Sequence, residues 1–178
     1  MNIEKTDFKD LLIINHEIYY DERGSFKEVF RKNVIEENLG YRINFCQDNN
    51  VKSSYMVLRG LHYQEEPHAQ SKLVSVAEGK ILDIAVDIRE NSKTYGKCFS
   101  YVLSSESNKS IFVPKGFAHG YLTLSENADV NYKVDNYYNK QSERGISFDD
   151  KYLNIDWGEH KSEIKISEKD KNLTDFKW

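Results

Sequence analysis

The chain has 178 residues, a net charge of −4 with both signs interspersed, and two cysteines, Cys46 and Cys98. A chain of this length buries roughly 70% of its unfolded surface, so a single domain over residues 1–178 needs no disulfide or metal staple, and two cysteines read as reduced thiols. The charge balance argues against nucleic acid as the main partner, and neither a signal-peptide core in MNIEKTDFKD nor an apolar run near the roughly 20 residues of a membrane span is present, which points to a soluble cytoplasmic protein without membrane contact.

Taken in chain order, the first apolar segment is Leu11-Leu12-Ile13-Ile14, suited to adding to the sheet edge of a partner. Runs at Ile13–Tyr20 and Phe26–Arg31 read as strands. Asn33 to Leu39 reads as a helix, with Gly40 placed to end it. Lys72–Ala77 and Leu82–Ile88 are expected to form a hairpin around Glu78-Gly79-Lys80. Within the second run, Leu82, Ile84, Val86 and Ile88 share one face and Asp83, Ala85 and Asp87 the other, the pattern of a half-buried strand. Further short strands fall at Phe99–Leu103, Ser110–Val113, Gly120–Leu124 and Asp129–Val134, and a second helical turn near Ser167–Asn172. Many short strands separated by turns predict an all-β sandwich or barrel, here a jelly roll with one or two short helices. Such a barrel holds a small ligand among inward-facing side chains. The twelve tyrosines suit a pocket that stacks and hydrogen-bonds a ligand, and equally suit ordinary strands.

Two segments carry the chemistry. One is Val57-Leu58-Arg59-Gly60-Leu61-His62-Tyr63-Gln64, followed by Gln70-Ser71-Lys72-Leu73-Val74. The other is Val113-Pro114-Lys115-Gly116-Phe117-Ala118-His119-Gly120. Pro-x-Gly-x-x-His resembles the second half of the cupin signature, in which a strand histidine faces the cavity. The His-x-His of metal-binding cupins is missing, because Tyr63 and Gln64 follow His62. A three-histidine site from His62, His68 and His119 is the alternative to a metal-free one, and the metal-free reading is preferred.

From about Ile14 to Asp170 the chain resembles the dTDP-4-dehydrorhamnose 3,5-epimerase family. The matching stretches are Asp21-Glu22-Arg23-Gly24-Ser25-Phe26, Gln47-Asp48-Asn49, Leu58 to Gln64, Gln70 to Val74, Val86-Asp87-Ile88-Arg89, Gly116 to Gly120 and Tyr132 to Tyr138. The resemblance implies a double-stranded β-helix jelly roll and a homodimer whose N-terminal strands cross to the partner. It also implies a nucleotide-sugar substrate, no cofactor, and inversion of the carbons beside the ketone of a 4-keto-6-deoxy sugar. Ser71 stands where the family more often has glycine, and Ile146-Ser147-Phe148-Asp149-Asp150 where it more often has Trp-Asn-Asp. These departures leave every catalytic candidate in place.

Inversion beside a ketone needs a base, a donor for the enolate oxygen, and an acid on the opposite face. His62 suits the base, since its ordinary pKa near 6.5 leaves much of it neutral. A carboxylate behind its other nitrogen fixes the tautomer and stabilises the imidazolium; the resemblance assigns this to Asp170. Lys72 suits the enolate oxygen, where one preorganised donor is worth roughly 3–4 kcal/mol of barrier. The resemblance makes Tyr132 the opposite-face acid, on a strand facing His62 across the cavity. Arg23 and Arg59 fit a diphosphate, because guanidinium forks pair with phosphate oxygens. Phe26, Glu28, Gln47, Asn49, His119, Glu143 and Lys169 match further substrate-contacting positions, and Tyr138 matches an aromatic that stacks on the base. Residue by residue, the bland readings are a solvated lysine, a packed tyrosine and a solvated charge run at Glu168-Lys169-Asp170-Lys171. The competing functions are a 3- or 5-only epimerase acting on another nucleotide sugar, a metal-dependent cupin isomerase or oxygenase, for which the His-x-His is missing, and a binding module, which has no need of an acid–base pair.

Overall fold

The protein is described from a computed structural model covering residues 1–158 and 161–176; residues 159, 160, 177 and 178 of the 1–178 span lie outside the described residues. The strands are β1 (Asn2–Lys5), β2 (Leu12–Asn15), β3 (Ile18–Asp21), β4 (Gly24–Lys27), β5 (Gln47–Ser54), β6 (Leu58–Gln64) and β7 (Lys72–Glu78). They continue as β8 (Lys80–Asp87), β9 (Cys98–Ser104), β10 (Lys109–Val113), β11 (Phe117–Thr123), β12 (Asn127–Val134) and β13 (Glu143–Gly145). Two short helices, α1 (Lys32–Leu39) and α2 (Glu168–Lys171), complete the expected pattern. One sheet runs β1-β2-β10-β7-β12-β5, a second runs β13-β6-β11-β8-β9, and β3 pairs with β4 alone. Every strand pairing in them is antiparallel. The two facing sheets form the expected jelly roll.

The core has three layers because strand side chains alternate between faces. Between the sheets pack Val74, Val76, Ile81, Ala85, Ile111, Phe117, Tyr121 and Val130. Outside the five-stranded sheet, Leu58, Leu61, Ile84, Val86, Ala118 and Leu122 meet Leu153, Ile155 and Trp157 from the C-terminal region. Outside the six-stranded sheet, Leu12, Ile14, Leu73 and Phe112 are covered by Ile35 of α1 and by Ile43. Helix α1 ends where expected: Gly40 takes a left-handed conformation (φ +78°) and its N–H bonds the Glu36 carbonyl at 2.8 Å.

Five sequence expectations need correction. Leu11-Leu12-Ile13-Ile14 is no open edge, because β2 lies between β1 and β10 and is buried on both faces. The Ile13–Tyr20 run divides into β2 and β3, which pair with different strands, and the strand expected over Phe26–Arg31 ends at Lys27. The expected hairpin around Gly79 is instead a corner. β7 belongs to one sheet and β8 to the other, and Gly79 (φ +81°) sits so close that a Cβ would lie 2.1 Å from the Asn127 carbonyl oxygen. Finally, β8 is buried on both faces rather than one. Asp83, Ala85 and Asp87 face the space between the sheets, each with 0% exposure.

One strand contact positions the site. β6 and β11 pair with His119 opposite His62 and Tyr121 opposite Arg59, with a register shift between these pairs. At the shift, Gly60 has φ +117°, and a Cβ there would lie 2.6 Å from Gly120 Cα and 2.7 Å from the His119 carbonyl oxygen. A Cβ on Gly120 would in turn lie 2.5 Å from the Arg59 carbonyl oxygen. Gly60→Ala is therefore expected to destabilise the fold by at least about 2 kcal/mol, from backbone strain and overpacking against main chain. Urea unfolding checks this; an unchanged midpoint would contradict it.

Candidate active site

A cavity of about 470 Å³ opens between the two sheets. Arg59 and His62 of β6 with His119 and Tyr121 of β11 line one wall. Val51 of β5, Lys72 and Val74 of β7, and Val130 and Tyr132 of β12 line the other. Lys165, Ser167, Lys169 and Asp170 from the C-terminal segment close one side. A groove of similar size, about 500 Å³, lies beside His16, Lys27, Ser110 and Asn131. It holds no histidine–carboxylate pair, so the cavity between the sheets is the candidate site.

Two cavity histidines are each backed by a carboxylate, one of the cavity lining and one behind it. His62 Nε2 and Asp170 Oδ1 are 2.6 Å apart, with the carboxylate side chain only 6% exposed. His119 Nε2 and Asp83 Oδ2 are 2.9 Å apart. In each neutral ring the N–H that donates to the carboxylate leaves the other nitrogen as acceptor. Asp170 reaches His62 because the C-terminal segment is tied down on both sides. The Leu58 N–H donates to the Lys165 carbonyl at 2.9 Å and the Lys165 N–H to the Met56 carbonyl at 2.8 Å. Beyond α2, the Ser147 N–H donates to the Thr174 carbonyl at 2.9 Å. Ser167 caps α2, its hydroxyl accepting from the Asp170 N–H at 3.1 Å, as expected for a helical turn at this place.

Burial governs the electrostatics. It pushes His62 below its ordinary value, while the Asp170 hydrogen bond and charge pull upward and Lys72 and Lys169 add to the lowering. It pushes the Lys72 ammonium down to about 8, against the upward pull of Asp83 and Glu143. It raises the Tyr132 hydroxyl, opposed by Arg59. At Glu143, burial works upward, but hydrogen bonds from Lys169 and Tyr138 outweigh it and hold the carboxyl low.

The structure thus brings His62, Lys72, Tyr132, Asp170, Arg59, His119 and Lys169 to one cavity. Glu143 on β13 joins them at the rim, bonded to Lys169 and, at 2.8 Å, to the exposed Tyr138. Gln47 and Asn49 continue the β5 face that carries Val51, with Asn49 opposite Tyr132 in register. Arg23, Phe26 and Glu28 are not brought there. Arg23 pairs with Asp21 on the exposed β3–β4 hairpin, Phe26 is 68% exposed, and Glu28 pairs with Arg31. The three-histidine alternative does not form: His68 lies on the loop after β6 against Asn139, and no metal-ligand cluster occurs among the described residues.

Sequence reasoning missed Ser53, Tyr121 and Asp83. Ser53 accepts from Arg59 Nε at 3.0 Å and lies 3.4 Å from the Tyr121 hydroxyl. Neither residue carried a motif signal. Asp83 carried one, a carboxylate at alternate positions of an apolar strand, which reads equally as a solvent face.

A profile described as dTDP-4-dehydrorhamnose 3,5-epimerase matches residues 5–177. The chain belongs to the dTDP-4-dehydrorhamnose 3,5-epimerase family. A Shigella flexneri protein of that name is 48% identical over 157 residues, covering 88% of this chain and 87% of that one. The crystal structure of the Elizabethkingia anophelis enzyme of that name superposes with TM-score 0.95 at 49% identity, covering 99% and 96% of the two chains. That of the Legionella pneumophila dTDP-6-deoxy-D-glucose-3,5-epimerase, in complex with dTDP-4-keto-L-rhamnose, gives 0.91 at 45% identity, covering 98% and 92%. No helix among the described residues is long and apolar enough to cross a membrane.

The electrostatics predict a bell-shaped kcat/KM for turnover that needs neutral His62 and charged Lys72. Activity falls on the acid side as His62 protonates, below its ordinary value. It falls on the alkaline side as pH rises through about 8, where Lys72 loses its proton. Initial rates from pH 5 to 10 check this; a profile flat through the alkaline range would show that the Lys72 charge is not used.

Proposed function

We propose that the cavity converts dTDP-4-dehydro-6-deoxy-D-glucose to dTDP-4-dehydro-L-rhamnose by inverting C3 and C5. The observation that carries this is the placing of a carboxylate-backed histidine on one sheet and a half-buried tyrosine on the other, with Lys72 in the same cavity. A binding module needs no such acid–base opposition. Family membership and the related complex with a dTDP-4-keto sugar support the same substrate class.

His62 removes the proton on the carbon beside the ketone, and the electrons pass into the carbonyl to give an enolate. The Lys72 ammonium stabilises the enolate oxygen. Asp170 orients His62 and stabilises the imidazolium. Tyr132 returns a proton to the carbon from the opposite face, and its raised pKa keeps that proton available. The two carbons flank one carbonyl, so the same groups serve both. Every proton removed is replaced, and no electrons are gained or lost.

Arg59, Lys169 and His119 bind the diphosphate and sugar, with Tyr138, Glu143, Gln47 and Asn49 toward the nucleotide. The protein acts in the cytoplasm as a homodimer. Arg23, Phe26 and Glu28 serve the partner's cavity, which is consistent with an exposed hairpin bearing Tyr19, Tyr20 and Phe26 that pairs with no further strand among the described residues. Sedimentation at micromolar concentration is expected to give a dimer. Co-expressed Arg23→Ala and His62→Ala chains are expected to regain activity, since a mixed dimer holds one site with both residues intact. A monomer, or no regain, would overturn the crossed arrangement.

The division of labour is tested in heavy water, reading deuterium at C3 and C5. His62→Ala is expected to lose exchange and inversion together, by about a thousandfold or more. Tyr132→Phe keeps the ring and removes the hydroxyl, so partial exchange is expected with little inversion. Full inversion in Tyr132→Phe would assign the acid to another group, and exchange at only one carbon in the unaltered protein would restrict the reaction to that carbon.

A further inference from the structure

Asp83 lies behind the cavity and does not line it. It is 0% exposed, with Tyr121 of β11 and Tyr101 of β9 opposite it in register. One carboxylate oxygen bonds His119; the other, Oδ1, has no hydrogen-bond partner among the described residues. A buried carboxylate left half-satisfied is destabilising unless its charge is matched. Across the space between the sheets, which Asp83 faces from β8, Lys72 of β7 points its ammonium-bearing side chain into the cavity. Lys72 has no hydrogen bond or ion pair among the described residues, and Asp83 leads the charges that keep it protonated. The other ionisable groups around Lys72 are Arg59, His62, His119, Tyr121, Tyr132, Lys165, Lys169 and Asp170 of the cavity lining, with Glu143 beside them. The two carboxylates among these already have partners, Asp170 in His62 and Glu143 in Lys169 and Tyr138.

We propose that Asp83 is a positioning residue, which fixes the His119 ring and supplies the charge that keeps Lys72 an ammonium ion. It acts through two groups of the cavity and touches no substrate. The inference rests on the enolate role of Lys72 given above, and the two separate experimentally. Lys72→Met with undiminished kcat would remove that role whatever Asp83 does.

Asp83→Asn is nearly isosteric, keeps an oxygen for His119 and removes the charge. The alkaline limb of kcat/KM is expected to move to lower pH by on the order of one unit, the effect of losing one nearby opposite charge. The acid limb, set by His62 and Asp170, is expected to stay in place. Titration of the Lys72 Nζ resonance by NMR in the unliganded full chain reads the same shift without turnover. His119→Gln leaves the Asp83 charge and is expected to leave that titration in place. An unmoved alkaline limb with an unmoved Lys72 titration in Asp83→Asn would overturn the proposal, as would an equal shift in His119→Gln. Should Asp83→Asn fail to fold, a folded Lys72→Met/Asp83→Asn double variant supports the charge pairing. A double variant that also fails to fold assigns Asp83 to the scaffold and overturns it.

Discussion

Gly60 and Gly120 stand against each other where β6 crosses β11, and neither leaves room for a Cβ. This contact fixes the register that sets His62 beside His119 and Arg59 beside Tyr121. A one-residue slip would send each of these side chains to the opposite face of the sheet, because strand side chains repeat every two residues. The ionisable groups would then meet Leu153, Ile155 and Trp157 in the outer layer, and Leu58 and Leu61 would fill the cavity. The position of the chemistry therefore depends on a steric condition met only by the absence of two side chains.

Burial then sets the protonation states together. The same desolvation lowers His62, lowers Lys72 and raises Tyr132, because it disfavours the charged form of each. A neutral imidazole, an ammonium ion and a protonated phenol coexist between the His62 value and about 8. An enclosed jelly roll supplies this without a dedicated device for each residue. Its requirement is that buried charge be matched, as at His62–Asp170, His119–Asp83 and Arg89–Asp87.

The expected jelly roll was legible from short strands and turn signals, and α1 from a helical run ended by glycine. The grouping of His62, Lys72, Tyr132, Arg59 and His119 was legible only through motifs in order. What failed has a common physical origin. Period two tells which residues share a face but not which face meets water, so Asp83 and Asp87 passed for a solvent side. In β8 the face that carries the carboxylates points inward. Gln47–Ser54, polar except for Val51, carried no strand signal because it lacks an alternating apolar face. The turn at Gly79 was read as a hairpin because a tight turn between two strands looks alike whether the second strand returns beside the first or enters the facing sheet.

The base is assembled from positions 108 residues apart. His62 belongs to an inner strand, while Asp170 arrives on a segment that makes two single-residue bridges at the β13–β6 end of the five-stranded sheet, Lys165 to Val57 and Thr174 to Ile146. Asp150 extends this attachment. One of its oxygens accepts from the Tyr152 and Leu153 N–H groups at 2.7 Å each, and the other from the Phe176 N–H. Leu173 lies where a Cβ on Gly145 would be, which places the segment directly over β13. The two sheets contain all their own ladder hydrogen bonds without this segment, but not the partner of His62. The scaffold of the cavity and the orientation of its base are thus separable in energy: a loosened C-terminal segment leaves the walls standing while the imidazole loses its tautomer partner and its counter-charge together.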